Sequence, residues 1–203
     1  GVFSFISVLA ARLSVQSSAT HQLLLGIAST TFMIPLGISS ATAVLVGHNL
    51  GAQKTKLSLV AGRCGLIFST LFMTSTAILF LLFPQRVMMF YSKDAAVIEL
   101  GTQVFFSVAL FQIFDGLQVT AAGGLRGLGN TKAAMWANLI SHWALGLPIG
   151  LILTFHFNQG LVGLWRGLGF GLFFAAIFLT WYWEKSIHRL LNESVSPRRP
   201  DGD

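Results

Sequence analysis

The chain has little charge: only 10% of its 203 residues are Asp, Glu, Lys or Arg. A soluble domain of ordinary composition carries about 25%, so this chain has too few charged side chains to cover a water-exposed surface. Apolar residues make up 54% of the sequence and fall in long runs. About 20 such residues in a helix cross a hydrocarbon core about 30 Å thick. The composition therefore predicts an integral membrane protein.

Other features that the sequence lacks exclude further kinds of protein. Cys64 is the single cysteine, which excludes an intramolecular disulfide. The first residues lack the basic region and cleavage site of a secretory signal and resemble the interior of a helix, so we expect the chain to be part of a longer protein. The net charge of +6 lies at the ends of apolar runs rather than in an aromatic and basic patch, which predicts no nucleic-acid partner.

Six apolar runs, separated by polar segments and by glycine- and proline-containing breaks, predict six transmembrane helices in an all-α bundle. We place the bundle in residues 1–185, with the first helix truncated, and a disordered polar tail in residues 186–203. The predicted helices cover residues 1–17, 22–48, 57–83, 97–123, 133–155 and 161–183.

The positive charges predict the orientation, because cytoplasmic loops carry an excess of Lys and Arg. Nine of the 13 basic residues fall at alternate ends of the predicted helices or in the tail, and we assign these ends to the cytoplasm. The absence of targeting features and the compact loops suit a multi-pass protein of a bacterial inner membrane. The nine residues are Lys54, Lys56, Arg63, Arg126, Lys132, Lys185, Arg189, Arg198 and Arg199.

Proline and glycine mark special positions inside the predicted helices. Pro35 and Pro148 each remove a backbone donor and predict kinks in the second and fifth helices. Gly163, Gly167 and Gly171 are spaced four residues apart, which favours close approach of helix backbones in lipid.

Of the seven acidic residues, Asp115 alone lies deep within a predicted span. An ionised carboxylate at such a depth costs at least about 2.5–3.5 kcal/mol, and intramembrane acids usually line a pathway. Gln118 and Gln112, three residues away on either side, lie on roughly the same helical face. We predict that Asp115 exchanges a proton or Na⁺ for another cation, although a purely structural hydrogen bond is the alternative. No His or Cys pair has the spacing of another metal site.

Five phrases occur in order along the chain: ATHQ (19–22), FMIPLGISSATAVLVGHNLGAQ (32–53), DGLQVTAAGGLRGLGN (115–130), GLPIG (146–150) and GLVGLWRGLGFG (160–171). Together they resemble the second half of the multidrug and toxic compound extrusion (MATE) transporters. Such a resemblance implies one lobe of a twelve-helix protein whose two six-helix lobes enclose a central cavity. It also implies export of organic cations and other xenobiotics in exchange for H⁺ or Na⁺, with no other cofactor.

The resemblance also implies site residues and partners. The acid of the D-x-x-Q phrase is a cation site in a subset of the family, and it corresponds to Asp115 with Gln118. The partners would be the lipid bilayer, the N-terminal six-helix lobe of the same protein and small cationic substrates. We place four further residues on the cavity lining: Phe111, Gln112, Phe114 and His142.

Two other functions are compatible with parts of the sequence. An intramembrane serine protease would use Ser39 or Ser40 with His142 as base, but GISS lacks the second glycine of the G-x-S-G pattern, so we predict no enzyme. A lipid-linked oligosaccharide flippase of similar helical plan would place more cationic residues in the cavity. Here the deep charge is negative, which favours cationic substrates unless Arg12 and Arg166 point inward.

Overall fold

A computed structural model describes the backbone of residues 2–195 and the side chains through residue 193, and all its regular elements in that range are helical. The predicted all-α bundle is confirmed. The helices are α1 (Val2–Leu13), α2 (Val15–Gly51), α3 (Thr55–Leu82), α4 (Pro84–Tyr91), α5 (Ala95–Gly127), α6 (Thr131–His156) and α7 (Gly160–Val195). Within the described residues, five of them are long and apolar enough to cross a membrane, namely α2, α3, α5, α6 and α7.

Local capping explains where several helices begin. The Ser14 hydroxyl accepts a hydrogen bond from the Ser17 amide (2.9 Å) and starts α2, while the Asp94 carboxylate accepts one from Ala96 (2.9 Å) and starts α5. Such caps satisfy amides that have no partner within the helix. Gly129 turns the chain between α5 and α6 with a φ of 77°, a backbone conformation that favours glycine.

Helix α5 lies at the centre of the bundle and packs against α2, α3 and α7. Small residues permit these contacts. The indole of Trp183 in α7 is fully buried and lies against Gly62 of α3 and Gly124 of α5. The backbone of α2 lies so close to α5 that a Cβ atom on Gly127 would be 2.7 Å from the carbonyl oxygen of Ala43.

Helix α6 is irregular around its proline. Residues Ile140–Gly146 and Ile152–His156 adopt π-helical geometry on either side of a short α-helical turn that contains Pro148. A proline cannot donate the backbone hydrogen bond of a regular helix, and π-turns are one way in which a helix adapts. No π-helical segment accompanies Pro35. This proline lies buried inside α2, which is α-helical from Val15 to Gly51.

The predicted glycine series packs α7 directly against α6. A Cβ atom on Gly167 would overlap the backbone of Gly150, and one on Gly171 would lie 2.6 Å from the carbonyl oxygen of Ser141. A Cβ atom on Gly163 would lie 2.7 Å from the amide nitrogen of Thr154. The structure therefore confirms that these glycines bring two helix backbones together.

The predicted disordered tail begins too early. Residues 186–195 belong to α7, because Ile187 is fully buried against the end of the bundle. In the preceding turn, Arg63 of α3 forms an ion pair with Glu184 (2.8 Å). A hydrogen bond from Arg189 to Glu193 (2.9 Å) adds support one turn further along. Residues 196–203 of the predicted tail lie outside the described residues.

Candidate functional site

Asp115 lies in a cleft of about 450 Å³ formed by α1, α2, α5 and α6. Helix α5 supplies the acid from a point 20 residues after its start, about 30 Å along the helix axis at 1.5 Å per residue. Four different helices thus meet around one carboxylate. The lining residues are Phe3, Leu25, Ala28, Ser29, Phe32, Phe111, Asp115, Gln118 and His142.

The Asp115 carboxylate is half-buried and unpaired. Across the side chains of residues 2–193, none forms an ion pair or a hydrogen bond with it. The lining contains no Lys or Arg side chain among the described residues. A buried charge without a partner is costly, so the site favours a bound proton or a bound cation.

Gln118 lies beside the acid and connects two helices. Its Nε2 donates to the Asn138 Oδ1 of α6 at 2.7 Å, and the side chain is 7% exposed. With the nitrogen engaged in this way, Gln118 Oε1 accepts no hydrogen bond from the described residues. Gln118 therefore has a neutral oxygen without a hydrogen-bond donor among the described residues, and it lines the same cleft as the carboxylate.

His142 is held by the same part of α6. Its Nδ1 lies 2.9 Å from the carbonyl oxygen of Asn138, and since a carbonyl only accepts, Nδ1 carries the proton. The other ring nitrogen, Nε2, is then an acceptor in the neutral ring. His142 thus lines the cleft with an orientation that the Asn138 backbone sets.

Aromatic rings form one wall of the cleft. The centroid of Phe3 lies 6.2 Å from that of Phe111 and 6.3 Å from that of His142. Phe111 in turn packs edge-on against the fully buried Trp165 at 5.4 Å. Aromatic faces attract cations, so a wall of this kind beside an acid suits a flat organic cation.

Two predicted lining residues lie elsewhere. Gln112 is buried between α2 and α3, where its Oε1 accepts hydrogen bonds from Thr31 (3.0 Å) and Thr76 (3.3 Å). Phe114 packs against Phe173 of α7, with ring centroids 5.1 Å apart, and lines a different cavity. Residues three before and three after Asp115 diverge by about 120° around a helix of 3.6 residues per turn. Gln118 therefore lines the cleft, and Gln112 does not.

Phe3 and Asn138 were missed by the sequence reasoning. Phe3 reaches the cleft from α1, and Asn138 reaches Gln118 from α6, although neither is near Asp115 in the sequence. A polar residue inside an apolar run was the available signal for Asn138. For Phe3 the sequence carries no signal, since aromatic residues are common throughout the spans.

The serine protease arrangement is not formed. Ser39 donates to the carbonyl oxygen of Val119 (2.7 Å) and accepts from Arg126 (2.9 Å), while Ser40 bonds within its own helix to Leu36 (3.0 Å). Within the described side chains, neither hydroxyl bonds to His142. A serine nucleophile requires a base within hydrogen-bond reach, so the geometry does not support this alternative.

The possible counter-charges also lie away from the cleft. Arg166 donates to Gln159 Oε1 (2.8 Å) and lines another cavity, and Arg12 is exposed at the end of α1. Among the described residues, no group of three His, Cys, Asp or Glu side chains is placed to hold a metal ion. A bound Na⁺ would therefore rely on the Asp115 carboxylate and neutral oxygens.

The sequence matches one protein-family model and is similar to named bacterial proteins. The sequence profile of the MatE family matches residues 1–152. The chain is 36% identical over 199 residues to the probable multidrug resistance protein NorM of Pseudomonas putida, covering 96% of this chain and 43% of that protein. It is 37% identical over 206 residues to the multidrug resistance protein PmpM of Pseudomonas aeruginosa, covering 100% of this chain and 43% of that protein.

Solved structures show the same fold. The eukaryotic MATE transporter AtDTX14 superposes with a TM-score of 0.84 at 21% identity, over 96% of this chain and 45% of that one. A MATE protein in a bent conformation gives 0.88 at 15% identity, over 96% and 43%. The chain thus spans less than half the length of the curated relatives and solved chains that it matches.

Proposed function

The chain belongs to the MatE family, and on this basis we propose that it forms the C-terminal six-helix lobe of a multidrug antiporter. The intact protein would export organic cations and other xenobiotics in exchange for H⁺ or Na⁺. The observation that carries the proposal is the unpaired Asp115 carboxylate in a cleft bordered by four helices. The relatives named above as multidrug resistance proteins support the substrate class.

The mechanism follows from competition for one carboxylate. In the outward-facing state Asp115 takes up a proton or Na⁺, with Gln118 Oε1 as a neutral ligand for Na⁺. In the inward-facing state the ion leaves, and an organic cation binds between the acid and the ring of Phe111. Because one acid cannot hold both cations, ion loading favours substrate release to the outside.

The partners and location form part of the same proposal. An N-terminal six-helix lobe of the same protein would close the cleft into a central cavity within the lipid bilayer. We place the intact protein in a bacterial inner membrane, with the C-terminal tail in the cytoplasm. The five apolar helices and the family support a multi-pass membrane protein.

A flippase for lipid-linked oligosaccharides is the less favoured alternative. Its phosphate-bearing substrate requires cationic side chains, whereas the described lining of the cleft holds Asp115 and no Lys or Arg. The sign of the charge therefore favours a cationic substrate.

The test replaces Asp115 by Asn in the full-length protein, expressed in cells that lack other pumps. Ethidium efflux is measured while the pH and Na⁺ gradients are varied separately. Asp115→Asn keeps the size of the side chain but removes its charge, and we expect gradient-driven efflux to fall to the level of cells that lack the protein, because intramembrane acids mark ion pathways. The matched control is Asp94→Asn, since Asn also caps a helix and Asp94 lies at the start of α5.

The control variant should pump as the wild type does. Efflux by Asp115→Asn at the wild-type rate under every gradient would show that the ion site lies elsewhere.

A further inference from the structure

A second cleft, of about 440 Å³, is bordered by α5, α6 and α7 and has a lining distinct from that of the Asp115 cleft. Its walls are mostly aromatic and aliphatic, and several of these side chains are exposed in the chain as it stands. The volume falls within the range of about 300–1,000 Å³ that is typical of ligand sites. The apolar residues that the argument uses are Phe106, Leu110, Phe114, Phe170 and Phe173.

The cleft also holds two polar groups whose bonding is incomplete. Arg166 has one neutral partner, Gln159, and pairs with no acid among residues 2–193. Ser107 is 4% exposed and lines the cleft, yet its hydroxyl has no hydrogen-bond partner within the described part of the chain. A buried hydroxyl without a partner is costly. The Arg166 guanidinium has N–H donors beyond the one that Gln159 uses, so it favours an incoming acceptor.

Arg166 and the aromatic rings of the cleft lie at different depths along the helix axes. Helices α5 and α7 run parallel, because Phe114 meets Phe173 and Gly124 meets Trp183 further along both helices. Arg166 lies six residues after the start of α7, about 9 Å along the axis. Phe173 lies seven residues further, about 10 Å deeper. The cation is therefore near the helix ends, and the rings lie toward the middle of the span.

We propose that this cleft binds an anionic phospholipid of the surrounding bilayer. The phosphate contacts Arg166, and an acyl chain lies along the rings of Phe106, Phe170 and Phe173. Charge complementarity selects this occupant: Arg166 attracts a phosphate and repels the organic cations expected at Asp115. A lipid also places its headgroup and its chain at the depths at which this cleft places its cation and its rings.

Gly169 gives a way to fill the cleft without disturbing the helix packing. It lines the wall, and a Cβ atom built on it meets no atom within 4 Å. A leucine there would occupy space that the acyl chain needs. Gly37 of α2 is a matched control, because its Cβ atom would also meet nothing within 4 Å and it lines none of the cavities described above.

The experiment uses the purified full-length protein and native mass spectrometry to count bound lipids. Three probes are compared: dioleoylphosphatidylglycerol, dioleoylphosphatidylcholine and glycerol phosphate, which carries the anion without the chains. We expect phosphatidylglycerol to bind in preference to the other two. Arg166→Gln should weaken it about five-fold, and Gly169→Leu should weaken it at least as much.

Two variants control for nonspecific effects. Arg86→Gln removes another exposed cation, one that lies over the ring of Phe83 (5.4 Å) outside the cleft, and it should leave binding unchanged. Gly37→Leu should also bind like the wild type. Asp115→Asn should retain lipid binding, so this result does not depend on the antiport proposal.

Each of four outcomes would overturn the lipid site. Equal losses for Arg166→Gln and Arg86→Gln would indicate general attraction to anions. Equal binding of phosphatidylcholine would remove the role of the charge, and binding of glycerol phosphate alone would indicate a site for free phosphate. Unchanged lipid binding by Gly169→Leu would show that no lipid occupies the cleft. That result is expected if the rest of the full-length protein covers this face.

Discussion

The carboxylate of Asp115 is positioned by neighbours that leave it free to bind. Gln118 and His142 are both tied to Asn138, one through its side chain and the other through its backbone carbonyl. The two side chains are therefore held at the cleft by α6, without using the acid as a partner. At the residue scale, a hydrogen-bond network beside Asp115 orients its surroundings and keeps the carboxylate available.

The Gln118–Asn138 hydrogen bond should be measurable in a double-mutant cycle. Gln118→Leu and Asn138→Leu each remove the 2.7 Å contact, so the two changes should not be additive. We expect a coupling of about 0.6 kcal/mol, and up to about 1.7, as for hydrogen bonds between membrane helices. Reversible unfolding in mixed micelles measures the four free energies of unfolding.

Thr30→Val serves as the control partner, because the Thr30 hydroxyl bonds to Gly26 within its own helix (2.9 Å). Its effect should add to that of Gln118→Leu. A coupling near zero between Gln118→Leu and Asn138→Leu would mean that the bond contributes nothing to stability.

At the element scale, the pair of α6 and α7 combines an irregular helix with a glycine-rich one. The π-turns around Pro148 alter the backbone of α6 where it meets Gly167 and Gly171. Because those glycines present no side chain, the two backbones touch, and packing replaces the hydrophobic force that is absent between helices in lipid. Contact between α6 and α7 thus depends on single glycine positions.

Gly167→Ala should destabilise the protein, because the added methyl group would overlap the backbone of Gly150. Overpacking of this kind costs about 1–3 kcal/mol. The matched control is Gly169→Ala, two residues along the same helix, where the Cβ atom meets nothing within 4 Å. Thermal unfolding of both variants in detergent should show a lower Tm for Gly167→Ala alone. Equal Tm values for the two variants would mean that α6 and α7 can move apart to admit the methyl group without loss of stability.

At the scale of the whole molecule, charge is divided between the two ends of the bundle. The connections that follow α2 and α5 lie at the same end as the last turns of α7, where Asn130 bonds to Tyr182 (3.2 Å) and Arg63 to Glu184 (2.8 Å). This end carries Lys54 and Lys185, among other basic residues. The connection between α4 and α5 lies at the opposite end of α3, which is 28 residues long.

Cysteine labelling tests the resulting orientation. In a full-length protein with Cys64→Ala, we expect a membrane-impermeant maleimide to label Lys93→Cys in intact cells. It should label Lys54→Cys only after permeabilisation, because positively charged ends remain in the cytoplasm. Both positions replace an exposed lysine, so each is the other's control. Labelling of Lys54→Cys in intact cells would reverse the proposed topology.

The sequence alone was enough to predict the class and the family, and it singled out one deep acid, Asp115, whose role remains a prediction. Long apolar runs determine spanning helices because backbone groups must be satisfied within the helix in lipid, and a single deep carboxylate stands out against such runs. The MATE resemblance, carried by phrases such as DGLQ at Asp115, is confirmed by the family match over residues 1–152. These features are local and can be recognised without knowing which helices touch.

The tertiary structure decided which side chains share the cleft with Asp115. Phe3 lines it from α1, and Asn138 of α6 bonds to Gln118 beside it. Gln112, although close in sequence, turns toward Thr31 and Thr76. The continuation of α7 beyond residue 185 likewise depends on Ile187, which the surrounding helices bury. Helical periodicity defines the faces of one helix, but which neighbour each face meets depends on how the backbones pack, and that packing brings together residues far apart in the chain.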